Sequence, residues 1–129
     1  MKGSICVIDD DMIYQMIVKK IIERTGEFDT IKFYDDGVNA LADFKDPEVM
    51  LPEMILLDIN MPQMDGWQLL EGLQALRPNF KNETIIYIVT SSIAHSDREK
   101  ASSIEEVSGF LSKPLSVDHL KKLIGKHRF

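Results

Sequence analysis

Acidic side chains follow two apolar runs of this sequence at the points where the runs end. Asp9 and Asp10 come directly after ICVI, and Asp58 comes directly after MILL. Short apolar runs bounded by polar turn residues are typical of strands that are buried on both faces. Open α/β sheets bind their ligands at the carboxyl ends of such strands. The spacing therefore predicts that the three carboxylates share one edge of a sheet.

Two further polar side chains follow predicted strands and extend this group. Thr90 follows the β-branched run TIIYIV, and Lys113 follows a short fifth strand that contains FL. Because parallel strands end at the same edge of a sheet, this edge should also carry one hydroxyl and one ammonium group. Neighbouring carboxylates repel one another unless a cation lies among them. Oxygen ligands without His or Cys suit Mg²⁺ or a similar hard ion.

Composition limits the class of protein. The chain has 129 residues, with 15 Lys and Arg against 21 Asp and Glu, and a net charge of -6. The length predicts a single domain over residues 1–129, and the acidic balance argues against a nucleic-acid partner. We find no signal peptide and no apolar segment of membrane-spanning length, so we expect a cytoplasmic protein without membrane contact. The single cysteine, Cys6, lies in an apolar run and predicts a buried structural thiol.

Strand and helix patterns alternate along the chain. Strands are predicted near residues 5–8, 30–33, 53–58, 84–89 and 110–111. Helices are predicted near residues 12–24, 38–44, 67–76, 96–104 and 117–124. This alternation, with connections too long for hairpins, predicts an α/β fold with a parallel sheet and right-handed crossovers. The connections 45–52 and 78–83 should be the loosest loops.

The first predicted helix carries an apolar stripe. Ile13, Ile17 and Ile21 recur every four residues, which is the spacing of one helix face. Met12, Met16 and Ile22 widen this stripe, and we expect the two methionines to serve in packing.

Four motifs occur in order along the chain. They are VIDD at residues 7–10, LLDINMPQMDG at 56–66, IVTS at 88–91 and SGFLSKP at 108–114. Each motif alone is weakly specific, but together they resemble the receiver domain of bacterial two-component response regulators. The resemblance covers essentially the whole chain. It implies a flavodoxin-like (βα)5 fold, a three-layer sandwich around a five-stranded parallel sheet.

The resemblance implies a role for each acidic residue. Asp58 matches the phosphoacceptor, which takes a phosphoryl group from a phosphohistidine of a sensor histidine kinase or phosphotransfer protein. Asp9 and Asp10 match the metal-binding acid pair of the family. Together with Asp58 and the backbone carbonyl of Asn60, they are the implied ligands of Mg²⁺.

The resemblance also implies a switch. Lys113 matches a lysine that contacts a phosphoryl oxygen, and Thr90 matches a hydroxyl that bonds to another. Phe110 matches an aromatic residue that turns inward as Thr90 moves, and Pro114 matches a position whose preceding peptide bond is usually cis. The family's usual output surface is the fourth helix, fifth strand and fifth helix, here roughly residues 96–126. A protein target is implied, although the sequence does not identify it.

These residues also have plainer interpretations. Asp9, Asp10 and Asp11 are favoured as caps of the first helix, and we expect Asp11 to serve mainly as one. Lysine is usually a solvated surface residue, which is the alternative for Lys113. Thr90 has the β-branched side chain that suits any strand end.

Three functions fit the sequence. The leading hypothesis is a single-domain response regulator that catalyses only its own phosphorylation and dephosphorylation, as a monomer or a phosphorylation-dependent dimer. The second is a Mg²⁺-dependent phosphohydrolase with an aspartyl phosphate intermediate. Such enzymes usually carry a second acid two residues after the nucleophile, and Asn60 at that position disfavours this reading. The third is a degenerate receiver that binds partners without phosphorylation. The retention of five key residues argues against it, namely Asp9, Asp10, Asp58, Thr90 and Lys113.

Overall fold

A computed structural model describes residues 3–91 and 95–127 of the chain. The strands and α-helices of this part are β1 (Gly3–Ile8), α1 (Met12–Thr25), β2 (Phe28–Tyr34), α2 (Gly37–Phe44), β3 (Met54–Leu57), α3 (Gly66–Leu76), β4 (Ile85–Thr90), α4 (His95–Ser103), β5 (Val107–Ser112) and α5 (Val117–His127). The strands form one parallel sheet in the order β2-β1-β3-β4-β5. The predicted flavodoxin-like α/β fold is therefore confirmed.

The strand register brings the predicted site together. Ile8 at the end of β1 pairs with Leu57 at the end of β3, and Leu57 pairs with Ile88 of β4. Asp9 and Asp58, the next residues, therefore begin their loops at the same level of the sheet. The amide of Asp58 donates to the carbonyl of Ile8 at 3.0 Å, which extends the strand pairing to Asp58 itself.

The helices cover the sheet on both faces. On one face, α1 and α5 supply a core cluster that includes Val18, Ile22 and Leu120. On the other, α2 and α3 supply a second cluster that includes Phe44 and Leu73. The central strands β1 and β3 are buried on both faces, as their uninterrupted apolar runs predicted. Within the described residues, the helices are too short or too polar to cross a membrane.

Most of the apolar stripe predicted for α1 lies on the solvent face of the helix, so the packing role expected for Met12 and Met16 is wrong. Ile21 and Ile22 of that stripe do pack against the core. Met12 and Met16 are 60% and 68% exposed, and Ile13 and Ile17 are 72% and 49% exposed. The buried face carries Tyr14, Val18 and Ile22, which also recur every four residues.

Gln15 explains why this other face of α1 turns inward. Its side-chain amide donates to the carbonyl of Asp9 at 2.6 Å and to that of Tyr34 at 3.3 Å. These bonds tie one side of α1 to the ends of β1 and β2 and favour the observed rotation of the helix, through a polar contact that hydrophobic periodicity does not register. Asp11 caps the helix as expected, because its carboxylate accepts from the amides of Ile13 and Tyr14.

Both connections expected to be the loosest are anchored. The guanidinium of Arg77 donates to the carbonyls of Phe44, Asp46 and Val49 at 3.2, 2.8 and 2.5 Å, which fixes the chain after α2. The connection between α3 and β4 contains a 3-10 turn in which Phe80 is 1% exposed. The first loop is thus held by three hydrogen bonds to one guanidinium, and the second by the burial of one aromatic ring. The composition of these loops alone does not reveal either contact.

Candidate functional site

Three carboxylates converge at the carboxyl edge of the sheet. One oxygen from each of Asp9, Asp10 and Asp58 lies within 4.8 Å of the others. Asp9 and Asp58 are 2% and 6% exposed, whereas Asp10 faces solvent. The cluster is therefore buried on one side and open on the other, which leaves a path for an ion or a phosphoryl group.

Each buried carboxylate uses its two oxygens differently. Oδ1 of Asp9 accepts from the amide of Asp11 at 2.9 Å, and Oδ1 of Asp58 accepts from the amide of Asn60 at 3.0 Å. In both cases the amide lies two residues further along the chain, in the loop that follows the strand. The backbone thus fixes each carboxylate through one oxygen and leaves Oδ2 for the pocket.

Lys113 lies between these two Oδ2 atoms. Its Nζ is 2.7 Å from Oδ2 of Asp9 and 3.4 Å from Oδ2 of Asp58. The lysine side chain is only 13% exposed, so it is not a solvated surface lysine. The Lys113–Pro114 peptide bond is cis, as the family resemblance implied.

The charges of the pocket are not in balance. Burial raises the pKa of the Asp9 carboxyl above its usual range, and the hydrogen bond from Lys113 offsets this only in part. Burial lowers the pKa of Lys113, but the two nearby carboxylates raise it by more, so its net pKa lies above that of an ordinary lysine. One ammonium therefore faces three carboxylates, and ionised Asp9 is held at an energetic cost that a further cation would reduce.

Thr90 is tied to Asn60 across the pocket. The side-chain amide of Asn60 donates to Oγ1 of Thr90 at 2.9 Å, and Thr90 is 1% exposed. The sequence analysis named only the backbone carbonyl of Asn60 as a ligand and did not predict this side-chain contact with Thr90. Because a hydroxyl both donates and accepts, Thr90 keeps its own proton for another acceptor.

The loop after Asp58 is held close to the strand end by Gly66. A Cβ atom at this position would lie 2.8 Å from the Cα atom of Ile59 and 2.9 Å from the carbonyl oxygen of Asp58, so only glycine fits. Asp65 and Gln68 then form a capping box that starts α3. The segment between Asp58 and α3 is therefore held at both ends, by the close approach of Gly66 to the strand end and by the cap of the helix.

Phe110 lies outside the carboxylate cluster. It is partly buried and packs against the core on the α2 and α3 side of the sheet. It also lines a groove of about 570 Å³ between α4 and β5, together with Arg98, Ala101 and Val107. This groove lies within the range predicted as an output surface.

The donor set fits Mg²⁺. The candidate ligands are all oxygens, two of the three carboxylates are held by backbone amides, and the net charge of the cluster is negative even with Lys113 present. Such sites select hard divalent cations over metals that prefer nitrogen or sulfur ligands. The same arrangement suits a carboxylate nucleophile, because Oδ2 of Asp58 faces the open pocket beside an ammonium group.

Comparison with known proteins agrees with this geometry. The sequence model for the response regulator receiver domain matches residues 5–125. The chain is 30% identical to the probable methanogenesis regulatory protein FilR2 of Methanothrix harundinacea, over 93% of this chain and 77% of that protein. It is 23% identical to the chemotaxis protein CheY of Listeria monocytogenes, over 95% and 96% of the two chains.

A solved structure shows the same fold. The two component response regulator from Cytophaga hutchinsonii superposes with a TM-score of 0.89 at 30% identity, covering 98% of this chain and 97% of that one. Other relatives are much longer, and the chain spans only 7% of the hybrid signal transduction histidine kinase L of Dictyostelium discoideum.

Proposed function

The chain belongs to the family of response regulator receiver domains, modules of two-component signalling, and from this premise we propose that Asp58 is its phosphorylation site. The observation that carries the proposal is the placement of Asp58. One carboxylate oxygen is held by the amide of Asn60, and the other faces the pocket 3.4 Å from the ammonium of Lys113. The nucleophilic oxygen is thus oriented and lies beside a positive charge.

The reaction is a phosphoryl transfer from a phosphohistidine. Oδ2 of Asp58 forms a bond to phosphorus as the bond from phosphorus to the imidazole nitrogen breaks. The imidazole leaves with that electron pair and takes a proton from solvent. Positioning and charge neutralisation matter more here than acid–base catalysis. Lys113 neutralises charge on the transferred group, and the free proton of Thr90 can be donated to a phosphoryl oxygen.

Asp9, Asp10 and Asp58, with the backbone carbonyl of Asn60, are the residues that would hold Mg²⁺. When bound, this ion supplies most of the charge neutralisation that the phosphoryl group requires. The support is the set of oxygen atoms described above and the cost of keeping Asp9 ionised without a further cation. Asn60 also stands where a phosphohydrolase of the aspartyl phosphate type would carry its second acid, so we favour a signalling module over an enzyme.

Phosphorylation is proposed to change the surface formed by α4, β5 and α5. A phosphoryl oxygen on Asp58 would accept the proton that Thr90 keeps free while its oxygen accepts from Asn60, and a Thr90 drawn towards Asp58 would open space towards Phe110. A local charge change of this kind biases an element that has two arrangements. The groove lined by Phe110 lies on this surface and is the proposed contact for a downstream protein in the cytoplasm.

The test is phosphorylation by a small-molecule donor. The chain is incubated with acetyl phosphate and Mg²⁺, and its intact mass is measured. We expect a gain of one phosphoryl group that does not form when EDTA is present from the start, and borohydride reduction followed by peptide mapping should place it at Asp58. If no adduct forms and beryllofluoride leaves the amide NMR spectrum unchanged, the proposal is wrong. A beryllofluoride response without an adduct would indicate rapid hydrolysis of the phosphate instead.

The exposed apolar face of α1 is the proposed contact for the phosphodonor protein. A donor histidine must reach Asp58, so its protein has to cover the rim of the pocket. The solvent face of α1, which begins two residues after Asp10, lies at that rim and exposes Met12, Ile13, Met16 and Ile17. Exposed apolar clusters of this kind mark protein contacts.

We expect the double substitution Ile13→Gln and Met16→Gln to slow phosphorylation by a protein donor and to leave phosphorylation by a small-molecule donor unchanged. Transfer from a phosphorylated histidine kinase, chosen as the fastest in a panel, should slow by about tenfold, the scale of losing one or two interface anchors. The rate with acetyl phosphate should not change, because this donor does not contact α1. Met50→Gln is the matched control, since Met50 is 89% exposed and precedes β3 at the opposite edge of the sheet. An equal loss with both donors would show damage to the pocket and contradict the assignment.

A further inference from the structure

The ammonium of Lys113 has a third partner besides the two carboxylates. Its Nζ lies 4.1 Å from the centroid of the Tyr14 ring. Tyr14 is 8% exposed and the Lys113 side chain is 13% exposed, so water has little access to the contact. A cation over the face of an aromatic ring is attracted by the ring quadrupole, and this attraction is larger where the pair is desolvated.

The three partners approach the ammonium from different elements. Asp9 follows β1, Asp58 follows β3, and Tyr14 comes from α1. The ring of Tyr14 belongs to the core cluster that also contains Val18 and Leu111. The ring is therefore held by core packing, whereas the lysine has a flexible stem of four methylene groups. A rigid group holds a mobile one.

We propose that Tyr14 is a positioning residue for phosphoryl transfer, and that its ring face holds the Lys113 ammonium beside Asp58 before the phosphoryl group arrives. The inference rests on the proposed function of Asp58. Without the ring, the Lys113 ammonium would have only the carboxylates as partners. A cation bound among those carboxylates would compete for them, and the ammonium would then be free to move towards solvent. The ring supplies an attraction that does not depend on the state of those acids, so the charge stays where the reaction needs it.

The ring, and not the hydroxyl, carries this role. The hydroxyl of Tyr14 is buried and has no hydrogen-bond partner among the described residues. Phenylalanine should therefore replace tyrosine without loss of function. Leucine would fill much of the space without offering a quadrupole, which makes the two substitutions a matched pair.

The first readout is the position of Lys113 in the unphosphorylated protein. Protons above an aromatic ring are shifted upfield in NMR spectra, so the ε-methylene protons of Lys113, assigned by comparison with a Lys113→Ala variant, should resonate upfield of other lysines. We expect this shift to persist in Tyr14→Phe and to vanish in Tyr14→Leu. Absence of the shift in the wild-type chain would overturn the proposal. The measurement needs no phosphorylation, so it stands even if Asp58 proves not to be the acceptor.

The second readout is the rate of phosphorylation by acetyl phosphate. Tyr14→Phe should react at the wild-type rate, and Tyr14→Leu should be slower by about 3- to 10-fold. A trifluorinated phenylalanine at position 14, with fluorines at both meta positions and the para position, keeps the ring shape but weakens its quadrupole. It should also slow the reaction, and this comparison remains decisive if Tyr14→Leu fails to fold.

A double-mutant cycle separates positioning from packing. In a Lys113→Ala background, Tyr14→Leu should cause no further loss of rate, because its effect passes through the lysine. The same loss in both backgrounds would overturn the proposal, as would a fluorinated ring that reacts as fast as phenylalanine. If the wild-type chain takes up no phosphoryl group at all, the proposed function fails, and the NMR shift alone then decides whether Tyr14 holds Lys113.

Discussion

An Asp58→Asn variant is expected to take up a phosphoryl group from acetyl phosphate at least about 1,000-fold more slowly than the wild-type chain, the scale seen when a nucleophile is removed. The amide oxygen of asparagine carries no full negative charge and is a poor nucleophile. The substitution keeps the shape of the side chain and leaves an oxygen to accept from the amide of Asn60, so the loop should stay in place. The loss would therefore report chemistry and not unfolding.

Asp35→Asn is the matched control for this variant. Asp35 directly follows β2, whose last residue pairs with Ile8, so it is an exposed carboxylate at the same edge of the sheet. We expect it to react at the wild-type rate. Uptake by Asp58→Asn at that rate would show that another residue is the acceptor. Borohydride mapping of the variant would then identify it, with Asp9 and Asp10 as the nearest candidates.

The fold was accessible from sequence because its signals are local. Each central strand is a short apolar run that ends at an acid, and the alternation of strands and helices fixes a parallel sheet. Once the sheet is parallel, residues that follow different strands must meet at one edge. Asp9 and Asp58 are adjacent for this reason alone, although they lie 49 positions apart in the chain.

The fifth strand shows where local signals mislead. It was predicted at residues 110–111, but β5 spans Val107–Ser112. Ser108 and Gly109 read as a turn because glycine usually marks one. In the structure a Cβ atom on Gly109 would lie 2.8 Å from Cε1 of Tyr87, so this glycine allows a ring of the neighbouring strand to approach. Glycine is needed at position 109 because of a contact with another strand, and the residues next to Gly109 in the sequence do not reveal that contact.

The contacts that complete the pocket were missed for the same reason. The contacts of Tyr14 with Lys113 and of Asn60 with Thr90 each join side chains from different parts of the chain. The bonds of Gln15 join its side chain to the backbone carbonyls of Asp9 and Tyr34. Periodicity on α1 predicted the apolar face of Ile13 and Ile17 as the packed one, although Tyr14, Val18 and Ile22 recur with the same spacing on another face. The polar residue between those faces decided which one is buried, and the other face became an exposed surface beside the pocket.

Asp9→Asn is expected to stabilise the metal-free protein while it weakens metal binding. Asp9 is buried, and burial raises its folded-state pKa above the unfolded value of 3.8. A raised carboxyl pKa contributes stability below pH 3.8, and this contribution is lost as the pH rises through the folded pKa. At pH 7 the ionised carboxylate therefore costs free energy of unfolding, and a neutral side chain removes that cost.

Thermal unfolding in EDTA measures this effect. At pH 7 the Asp9→Asn variant should be more stable by about 1 kcal/mol, the ordinary scale of a single substitution, which corresponds to a rise in Tm of about 4 °C for a domain of this size. The difference should shrink as the pH is lowered towards 4, because the wild-type carboxyl then takes up a proton. Asparagine can still accept from the amide of Asp11, so the loop bond is kept. Asp35→Asn, which changes an exposed charge, should show neither the gain nor the trend with pH.

Added Mg²⁺ should reverse the order of the two proteins. The wild-type chain should gain stability with metal concentration, because an ion that binds only the folded state stabilises it. The variant has lost one charged oxygen ligand, and we expect its affinity for Mg²⁺ to fall by at least about tenfold.

A variant that is less stable than wild type in EDTA at pH 7 would mean that the 2.7 Å contact with Lys113 outweighs the cost of burying Asp9. Asp9 would then stabilise the metal-free fold through Lys113, and its ionised carboxylate would carry no energetic cost for a bound cation to offset. We therefore expect the Asp9→Asn variant to be the more stable protein without metal and the wild-type chain to be the better binder of Mg²⁺. This result would mean that the charge of Asp9 serves metal binding and lowers the stability of the metal-free protein.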